Sequence, residues 1–421
     1  MGCKVMHVRG GYYMQANKRQ LPRWKSIKPL LGWTFPRFTN EDKALNRCVT
    51  IGDIRHLSRK RVPKAVFDYV DGGANEEVSM RRTRSAYSRV EFRPLVLRDV
   101  NTVDLTTTIL GEKSSLPIIF APTGYTRMMH YTGEVAVATV AAKHNMVYSL
   151  STMGTFSPEE LADFVPDVRR WFQLYMWSDR ARSLEMIQRA DSAGFSALIL
   201  TVDTAVPGQH NRDVRNGLTI PPKIGFRTFL NMSTKVKWWF NILTTPPLEF
   251  ATLRRDGLSP SEAAARVFDA SVTFEDIAWL KSIWKKPIIV KGVQSVEDAV
   301  KLAKLGVDAI VISNHGGRQL DAGTVPLEIL PEIVKAVKGR MQIYIDGGIM
   351  SGADVLAAIG FGADAVLIGR AYLYGAMAAG AAGVEKVLSI LTKEIESTLQ
   401  LNGVTSIEGF DSNFVRLREH G

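Results

Sequence analysis

The sequence predicts a (β/α)8 barrel that is preceded by an N-terminal extension and interrupted by a long insertion after the fourth strand. Three observations support this prediction: short apolar runs recur along the chain, there are eight of them, and segments of helical periodicity lie between them. Because the runs are apolar throughout, both faces of the sheet are expected to be covered, as in a parallel sheet. A doubly wound open sheet is the alternative that the same pattern allows.

The eight runs are rich in β-branched and aromatic residues, which favour strands. In chain order they are LPIIFAP (116–122), MVYSLS (146–151), RWFQLYM (170–176), ALILTVD (197–203), KPIIVKG (286–292), AIVISN (309–314), QIYIDGG (342–348) and AVLIGR (365–370). Their even recurrence is what a barrel of eight strand–helix units requires.

The segments between the runs carry signals for the beginning and end of helices. Ser157 followed by Pro158 is typical of an N-cap and a first helical residue, and this pair opens SPEELADF. The segments SVEDAVKLAKLG and SGADVLAAIGFG end at Gly306 and Gly362, where glycine permits a left-handed C-terminal cap.

One segment is much longer than a usual connection between a strand and a helix. Residues 204–273 separate the fourth run from the next convincing helix, FEDIAWLKSIW (274–284). Within this insertion, KVKWWFNILTTPPLEF (235–250) places lysines beside aromatic residues. That composition suits a loop packed on its own barrel, an active-site lid, or a surface that rests on a membrane.

The composition indicates a globular protein large enough to bury a sizeable core, with 421 residues of which 46% are hydrophobic. Lys and Arg exceed Asp and Glu by 53 to 42. Much of the excess precedes residue 65, so we interpret it as a solvated N-terminal feature and predict no nucleic-acid partner. Cys3 and Cys48 are too few for a disulfide framework or a Cys-rich metal site, and no metal is predicted.

The sequence also bears on location and on domain boundaries. It contains no apolar run of about 18 residues and no apolar segment typical of a secretion signal near its start, so we expect a cytoplasmic protein without a spanning helix. We predict an N-terminal extension over 1–48, the barrel over 49–410 and a C-terminal tail over 411–421.

The active site of such a barrel lies at the carboxyl ends of its strands, and polar or glycine residues follow or end the runs here. In chain order they are Pro122, Thr123, Gly124, Ser151, Thr152, Gln173, Tyr175, Thr201, Asp203, Lys291, Ser313, His315, Asp346, Gly347, Gly348, Gly369 and Arg370. We therefore expect these residues to share one rim.

Their residue types suggest a chemistry. Glycines after the last two runs predict a phosphate site, to which Arg370 can add a bidentate contact. His315 is a candidate general base with Asp203 orienting its ring, and Arg318 can bind a carboxylate. Lys291 leaves two interpretations open: the Schiff-base nucleophile of an aldolase-like lyase, or a positive charge facing an electron-rich cofactor ring.

Seven short motifs then occur in order on the predicted strands: APTG, FQLY, TVDT, VKG, SNHGGRQLD, IDGG and IGR. Together they resemble the FMN-dependent 2-hydroxy-acid dehydrogenase and oxidase family, which includes glycolate oxidase, (S)-mandelate dehydrogenase and flavin-dependent L-lactate dehydrogenases. FDYVDGGANEEVS (67–79) is similar to the family's segment that carries a substrate-binding tyrosine. Through PTGYTRMMHYTGE, WFQLYMW, RDVRNG and GIMSGAD, the chain is most similar to bacterial quinone-linked L-lactate dehydrogenases.

The resemblance implies FMN as the cofactor and assigns roles to the rim residues. Against the flavin it places Pro122, Thr123, Gly124, Ser151, Gln173, Thr201 and Lys291, and at the ribityl chain and phosphate it places Ser313, Asp346, Gly347, Gly348, Gly369 and Arg370. Around the substrate it places Tyr69, Tyr175, His210, His315 and Arg318, with His315 as the base, Asp203 as its partner and Tyr175 as a further catalytic group. Lys291 is then explained as stabilising negative charge on the reduced flavin.

The resemblance further implies a small 2-hydroxy acid substrate, with L-lactate favoured, a quinone acceptor and a homotetramer. Independently of the resemblance, the aromatic residues and lysines of 235–248 predict contact with the inner face of the cell membrane, because indole rings prefer the interface and lysines are drawn to anionic lipid. Two positions depart from the family pattern. Met350 stands where many members have a phosphate-binding arginine, which leaves more of that task to Arg370. His210 stands where the family usually has a second substrate-binding arginine, so a larger or atypical 2-hydroxy acid is an alternative, as are a flavin-free Lys291 lyase and a non-catalytic flavin-binding protein.

Overall fold

The computed structural model describes residues 42–217, 233–251, 253 and 268–419, and in them eight parallel strands close into a barrel. We label the strands β1 (Ile118–Phe120), β2 (Val147–Ser151), β3 (Arg169–Leu174), β4 (Ala197–Thr201), β5 (Ile288–Val293), β6 (Ala309–Ile312), β7 (Gln342–Asp346) and β8 (Ala365–Ile368). Each strand pairs with the next, and β8 pairs with β1. The predicted (β/α)8 barrel is confirmed, and the open-sheet alternative is wrong because the ring is closed.

Two apolar layers hold the barrel together. Inside it, residues from all eight strands fill the lumen, and the rings of Trp171 and Tyr344 stack with their centroids 6.1 Å apart. Outside it, side chains such as Phe120, Tyr148 and Phe172 are fully buried between the strands and the surrounding helices. This is the two-sided burial that the unbroken apolar runs predict.

A short hairpin closes the amino end of the barrel. It pairs Thr107–Ile109 with Glu112–Ser114, and its residue Ile109 is buried with the lumen side chains. The side-chain amide of Gln342, the first residue of β7, donates to the Thr108 carbonyl. The carboxyl end is therefore the open end, where a substrate can enter.

The helices of the described residues surround this barrel. They are Lys43–Asn46, Ile51–Arg61, Lys64–Asp71, Val78–Ser88, Gly133–Lys143, Pro158–Phe164, Arg180–Ser192, Asn211–Asn216, Val236–Leu243, Glu275–Ile283, Val296–Lys304, Pro326–Val337, Gly352–Gly360 and Arg370–Asn402, with a 3₁₀ turn at Thr126–Met128. Ser157 accepts the Glu160 N–H at the predicted helix start, and Gly306 and Gly362 have φ of +69° and +101°, as left-handed caps require.

The chain on either side of the barrel packs against it. Leu45 and Cys48 are buried in the main core, and the helix Ile51–Arg61 packs along the last helix, Arg370–Asn402. Near the C-terminus, Val415–Leu417 pairs antiparallel with Val90–Phe92. Residues 1–41 lie outside the described residues, so the predicted extension over 1–48 stays a prediction.

The insertion after β4 contains two described helices, Asn211–Asn216 and Val236–Leu243. The second helix carries the aromatic residues that the sequence singles out, and their side chains point in different directions. Trp238 packs inward, with Nε1 donating to the Met128 carbonyl at 2.9 Å, whereas Phe240 and Leu243 are 56% and 74% exposed. Within the described residues, no helix combines the length and the apolarity that a membrane span needs.

Candidate active site

A cavity of about 510 Å³ lies at the carboxyl ends of the strands, and most of the predicted site residues line it. They are Tyr69, Pro122, Thr123, Gly124, Ser151, Tyr175, His210, Lys291, His315, Arg318, Asp346, Gly347, Gly348, Gly369 and Arg370. Behind them lie Gln173, Thr201, Asp203 and Ser313, each hydrogen-bonded to another residue of the site. The structure therefore brings the predicted residues together on one rim.

A left-handed turn at the end of β6 places His315. The φ angles of His315, Gly316 and Gly317 are 57°, 62° and 74°, and the His315 N–H donates to Ser313 Oγ at 2.9 Å. A Cβ at Gly317 would lie 2.9 Å from the backbone nitrogen of Met80, so only glycine fits there. The Gly-Gly pair thus lets the turn bring the histidine over the cavity beside the helix Val78–Ser88.

Asp203, which follows β4, orients the imidazole ring. His315 Nδ1 lies 3.1 Å and 3.3 Å from the two carboxylate oxygens, and the Asp203 side chain is 3% exposed. Burial would raise the pKa of Asp203, but the charges of His315 and Lys291 outweigh burial and lower it below its ordinary value. Asp203 is therefore ionised at neutral pH, Nδ1 carries the proton, and Nε2 is free to act as the base.

Lys291 on β5 is a fixed positive charge in the floor of the cavity. Its Nζ donates to Ser313 Oγ at 3.0 Å and lies 3.0 Å from Asp346 Oδ2, while its side chain is 4% exposed. Burial would lower the pKa of Lys291, but the carboxylates of Asp346 and Asp203 raise it above its ordinary value. A Schiff-base nucleophile has to be a neutral amine, so this geometry contradicts the lyase interpretation.

Arg318 and two tyrosines form the opposite wall. Arg318 Nη1 donates to the Tyr69 carbonyl at 2.5 Å, and its guanidinium carbon lies 4.9 Å from the centroid of the Tyr69 ring. Burial raises the pKa of both Tyr69 and Tyr175, so each phenol keeps its proton at neutral pH. Two hydroxyl donors and a guanidinium thus face one space, a set that suits a carboxylate and a hydroxyl or carbonyl oxygen.

A chain of polar side chains crosses the ends of β2, β3 and β4. Ser151 Oγ donates to Gln173 Oε1 at 2.8 Å, and Gln173 Nε2 donates to Thr201 Oγ1 at 3.0 Å. All three are buried. Such a fixed row of donors and acceptors matches the polar edge of a flat heterocycle.

The ends of β7 and β8 form the predicted phosphate end. Gly347 and Gly348 have φ of 91° and 77°, and Gly369 is the N-cap of the helix that starts at Arg370, whose first N–H groups lack helical partners. The Arg370 guanidinium, however, donates to the carbonyls of Val70, Gly72 and Gly316. Three of its five N–H groups therefore hold the backbone and two are left for a ligand, so the expectation that Arg370 takes over phosphate pairing from position 350 stays a prediction.

His210 and Arg212 belong to the insertion and close one side of the cavity. His210 Nε2 lies 3.0 Å from the Arg318 carbonyl, and its Nδ1 lies 3.4 Å from an Asp213 oxygen. Arg212 lies 2.9 Å from Asp71 and 2.6 Å from Glu77. Both side chains are thus engaged with the protein, and Arg212 can approach a substrate only by leaving two ion pairs.

Sequence reasoning missed several residues of this cavity. Asp71 accepts hydrogen bonds from Arg55, Arg212 and Tyr374 and so ties three separate segments together beneath Tyr69. Further missed residues, which line the apolar wall or the phosphate end, are Thr83, Arg84, Tyr125, Met129, Met153, Phe250, Phe268 and Leu373. Asp71 is visible in the sequence as an acidic residue two places after Tyr69. Its partners could not be predicted, because they lie in other segments of the chain.

The donor set fits FMN. Asp346 Oδ1 is buried and has no hydrogen-bond partner within the described part of the chain, which leaves an acceptor for a ribityl hydroxyl. Gln173 and its neighbours offer the heterocycle polar contacts, Lys291 offers a positive charge, and the glycine turns offer backbone N–H groups to a phosphate. The histidine–aspartate pair stands beside these groups on the same cavity.

A (β/α)8 barrel with such a rim defines a flavin-dependent oxidoreductase that acts on a small acid. The chain belongs to the FMN-dependent dehydrogenase family, whose model matches residues 58–417. FMN is accordingly its cofactor, and the protein is an oxidoreductase of the 2-hydroxy-acid dehydrogenase and oxidase group.

Three relatives show the range of the group. The chain is 46% identical over 407 residues to a Mycobacterium tuberculosis protein named "Putative L-lactate dehydrogenase", covering 96% of this chain and 98% of that one. It is 36% identical to the L-lactate oxidase of a Nostoc species, covering 89% of this chain and 100% of that one. Its structure is similar to that of the monotopic membrane protein (S)-mandelate dehydrogenase, with a TM-score of 0.85, 33% identity, and coverage of 88% of this chain and 100% of that chain.

Proposed function

We propose that the protein oxidises L-lactate to pyruvate and passes the electrons through FMN to a quinone or another acceptor other than oxygen. The observation that supports the substrate class most directly is that His315 and Arg318, three residues apart in the turn after β6, line the same cavity. A base and a carboxylate clamp in one cavity suit an acid whose hydroxyl is on the adjacent carbon.

In this proposal the side chains have distinct tasks. Arg318 and Tyr69 bind the carboxylate, and Tyr175 donates to the oxygen on the carbon that is oxidised. His315 Nε2 takes one proton from the substrate, and Asp203 stabilises the imidazolium that forms. A bound FMN would supply the two-electron acceptor and would take up the second hydrogen of the substrate, either with the electron pair as hydride or as a separate proton, and Lys291 would provide a nearby positive charge.

Anaerobic flavin reduction tests this function and separates it from its alternatives. The purified protein should be yellow and should bleach when L-lactate is added without oxygen, whereas His315→Ala should keep FMN and bleach at least about a hundredfold more slowly. A protein whose flavin no 2-hydroxy acid bleaches would favour a non-catalytic flavin protein and would overturn the proposal.

A second candidate substrate is a larger 2-hydroxy acid with an apolar side chain. The cavity has an apolar wall in which Tyr125 and Phe250 lie with ring centroids 5.1 Å apart, and Tyr175 and Phe268 lie 5.9 Å apart. Aromatic walls of this kind bind a large apolar side chain better than they bind the single methyl group of lactate. A comparison of flavin-reduction rates with L-lactate, longer aliphatic 2-hydroxy acids and mandelate decides between the two.

We further propose that the helix Val236–Leu243 rests on the inner face of the cell membrane, where a quinone is available. Val236, Phe240 and Leu243 are exposed on this helix, while Trp238 anchors it to the barrel. Exposed apolar side chains with Lys237 beside them suit the surface of an anionic bilayer. The membrane-bound character of the similar mandelate dehydrogenase supports the proposal.

Liposome co-sedimentation tests this contact. The double variant Phe240→Ser and Leu243→Ser should bind anionic vesicles more weakly than the native protein and keep its activity with a water-soluble acceptor. Leu401→Ser, which changes an exposed leucine on another helix, is the matched control. Equal sedimentation of all three proteins would contradict the membrane contact.

The homotetramer that the resemblance implies is also a proposal. Light scattering of the purified holoenzyme measures the assembled mass directly. A mass close to four times 46.6 kDa supports the tetramer, and a monomer in dilute buffer contradicts it.

A further inference from the structure

The phosphate end of the cavity poses a problem of charge. A phosphate monoester carries close to two negative charges at neutral pH, and such groups are usually held by arginine as well as by backbone N–H groups. Met350, on the loop after β7, supplies no charge, and Arg370 uses three of its five N–H groups on backbone carbonyls, which leaves two for a ligand. A further cation at this end of the cavity would supply the charge that Met350 does not.

Arg84 is a second cation at this end of the cavity. It comes from the helix Val78–Ser88, lines the cavity and is 47% exposed. Its Nη1 donates to the Gly348 carbonyl at 2.7 Å and to Asp354 Oδ2 at 2.6 Å, so it is tied to the glycine turn itself. Within the described residues its Nε and Nη2 have no hydrogen-bond partner, which leaves donors for an anion.

The surroundings hold the Arg84 guanidinium in this place. Its carbon lies 5.7 Å from the centroid of the Tyr87 ring, and Tyr87 also packs so close to Gly348 that a Cβ there would approach within 3.0 Å. Asp354 Oδ2 accepts the Met350 N–H at 2.9 Å as well as the Arg84 contact. One carboxylate therefore fixes both the loop that carries Met350 and the arginine beside it.

We propose that Arg84 binds the FMN phosphate and replaces, from a different element, the charge that Met350 does not provide. Arg84 reaches the phosphate end from the helix Val78–Ser88, whereas Met350 lies on the loop after β7. The proposal rests on FMN as the cofactor and does not depend on which acid is oxidised or on which acceptor follows.

Flavin binding to the full-length protein after removal of its flavin tests the proposal, with fluorescence quenching as the signal. Arg84→Gln should weaken FMN binding roughly tenfold to a hundredfold, which is the range for one charge-assisted contact. Binding of riboflavin, which has no phosphate, should change by less than about twofold, because the lost contact is to the phosphate. Arg82→Gln removes the same charge from an exposed position on the same helix and should leave both affinities unchanged.

Two further variants keep the test decisive if Arg84→Gln disturbs the Asp354 contact. Arg84→Lys retains a charge for Asp354 and should lower the ratio of FMN to riboflavin affinity by less than Arg84→Gln does. Met350→Arg combined with Arg84→Gln should restore FMN binding. Equal losses for FMN and riboflavin would show that Arg84 only supports the fold, and unchanged FMN binding would show that it does not touch the phosphate; both results overturn the proposal.

Discussion

Replacing Asp203 with asparagine is expected to slow reduction of the bound FMN by roughly a hundredfold to a thousandfold, while FMN stays bound. The carboxylate faces His315 Nδ1 and is buried, so its charge acts directly on the imidazolium that forms when His315 takes the substrate proton. Asparagine keeps the shape and an oxygen acceptor but loses the charge. The variant therefore isolates the electrostatic contribution of the pair.

The distance between the two side chains sets the magnitude. For charges 3.1 Å apart, Coulomb's law gives about 1 kcal/mol at the dielectric constant of water and about 5 kcal/mol at an effective value of about 20. Because Asp203 is buried, its interaction energy with the imidazolium exceeds the value in water. Because asparagine keeps a hydrogen bond to His315, the energy lost on substitution is smaller than the value at the lower dielectric constant. Because about 1.4 kcal/mol is one factor of ten in rate, a loss of two to three factors of ten follows.

Stopped-flow mixing of the enzyme with substrate without oxygen measures the reduction step itself. Asp364→Asn is a suitable control, because Asp364 precedes β8 at the opposite end of the barrel and accepts the Ile343 N–H at 2.6 Å. It should leave the reduction rate unchanged. A native rate in Asp203→Asn would refute the assignment of the base pair, and loss of FMN from that variant would show that Asp203 has a structural role instead.

Three further outcomes are expected. Lys291→Met should make the midpoint potential of bound FMN more negative, by on the order of tens of millivolts, because a buried positive charge is lost; an unchanged potential in a redox titration would contradict its role. Burial would raise the pKa of Asp71, but the hydrogen bonds and charges of Arg55 and its other partners outweigh burial and lower it. The ion pairs of Asp71 therefore stabilise the fold above about pH 4, and this stabilisation is lost as pH falls through the lowered pKa. Asp71→Asn should reduce thermal stability, measured by calorimetry, more at pH 7 than at pH 3. His210→Arg should lower KM for L-lactate by up to roughly tenfold, and an unchanged KM would favour a larger substrate.

The strands and their order could be predicted because they depend on local sequence alone. Each strand lies inside its predicted apolar run or extends at most one residue beyond it, since a strand buried on both faces has to be apolar along its whole length. The helix start at Ser157 was predictable for the same reason, because its cap contacts are with the next few residues. The aromatic cluster in the insertion was not, since only the folded helix shows that Trp238 turns inward and Phe240 outward.

The residues that line the site could be predicted by position, whereas their contacts could not. That His315 follows a strand is visible in the sequence, but the fact that Arg370 donates to the Val70 and Gly72 carbonyls depends on how the N-terminal helices dock. Arg84 is a similar case, since nothing in its own segment relates it to the glycine turn after β7. Contacts between residues more than 200 positions apart carry no local pattern.

The charges of the cavity explain why these contacts matter. Its lining contains seven arginine or lysine residues and two aspartates: Arg55, Arg81, Arg84, Arg212, Lys291, Arg318 and Arg370, with Asp71 and Asp346. These positive charges would repel one another unless anions or carbonyl dipoles compensated them. Arg212 is held by carboxylates, and Arg370 donates three of its five N–H groups to carbonyls, so these contacts shape the site.

Two of the lining cations that keep unused donors contact different parts of the cavity wall. Arg84 stands at the glycine turn after β7, Arg318 stands beside Tyr69, and the buried Lys291 lies on β5 with its charge shared by Asp346. A phosphate dianion at Arg84 together with a carboxylate at Arg318 would compensate both positive charges, whereas one singly charged ligand would compensate only one of them. The charge pattern thus argues for FMN and a 2-hydroxy acid bound together, and it makes the Arg84 and Arg318 ends separable: loss of the first should weaken the flavin, and loss of the second should raise KM for the acid while FMN remains bound.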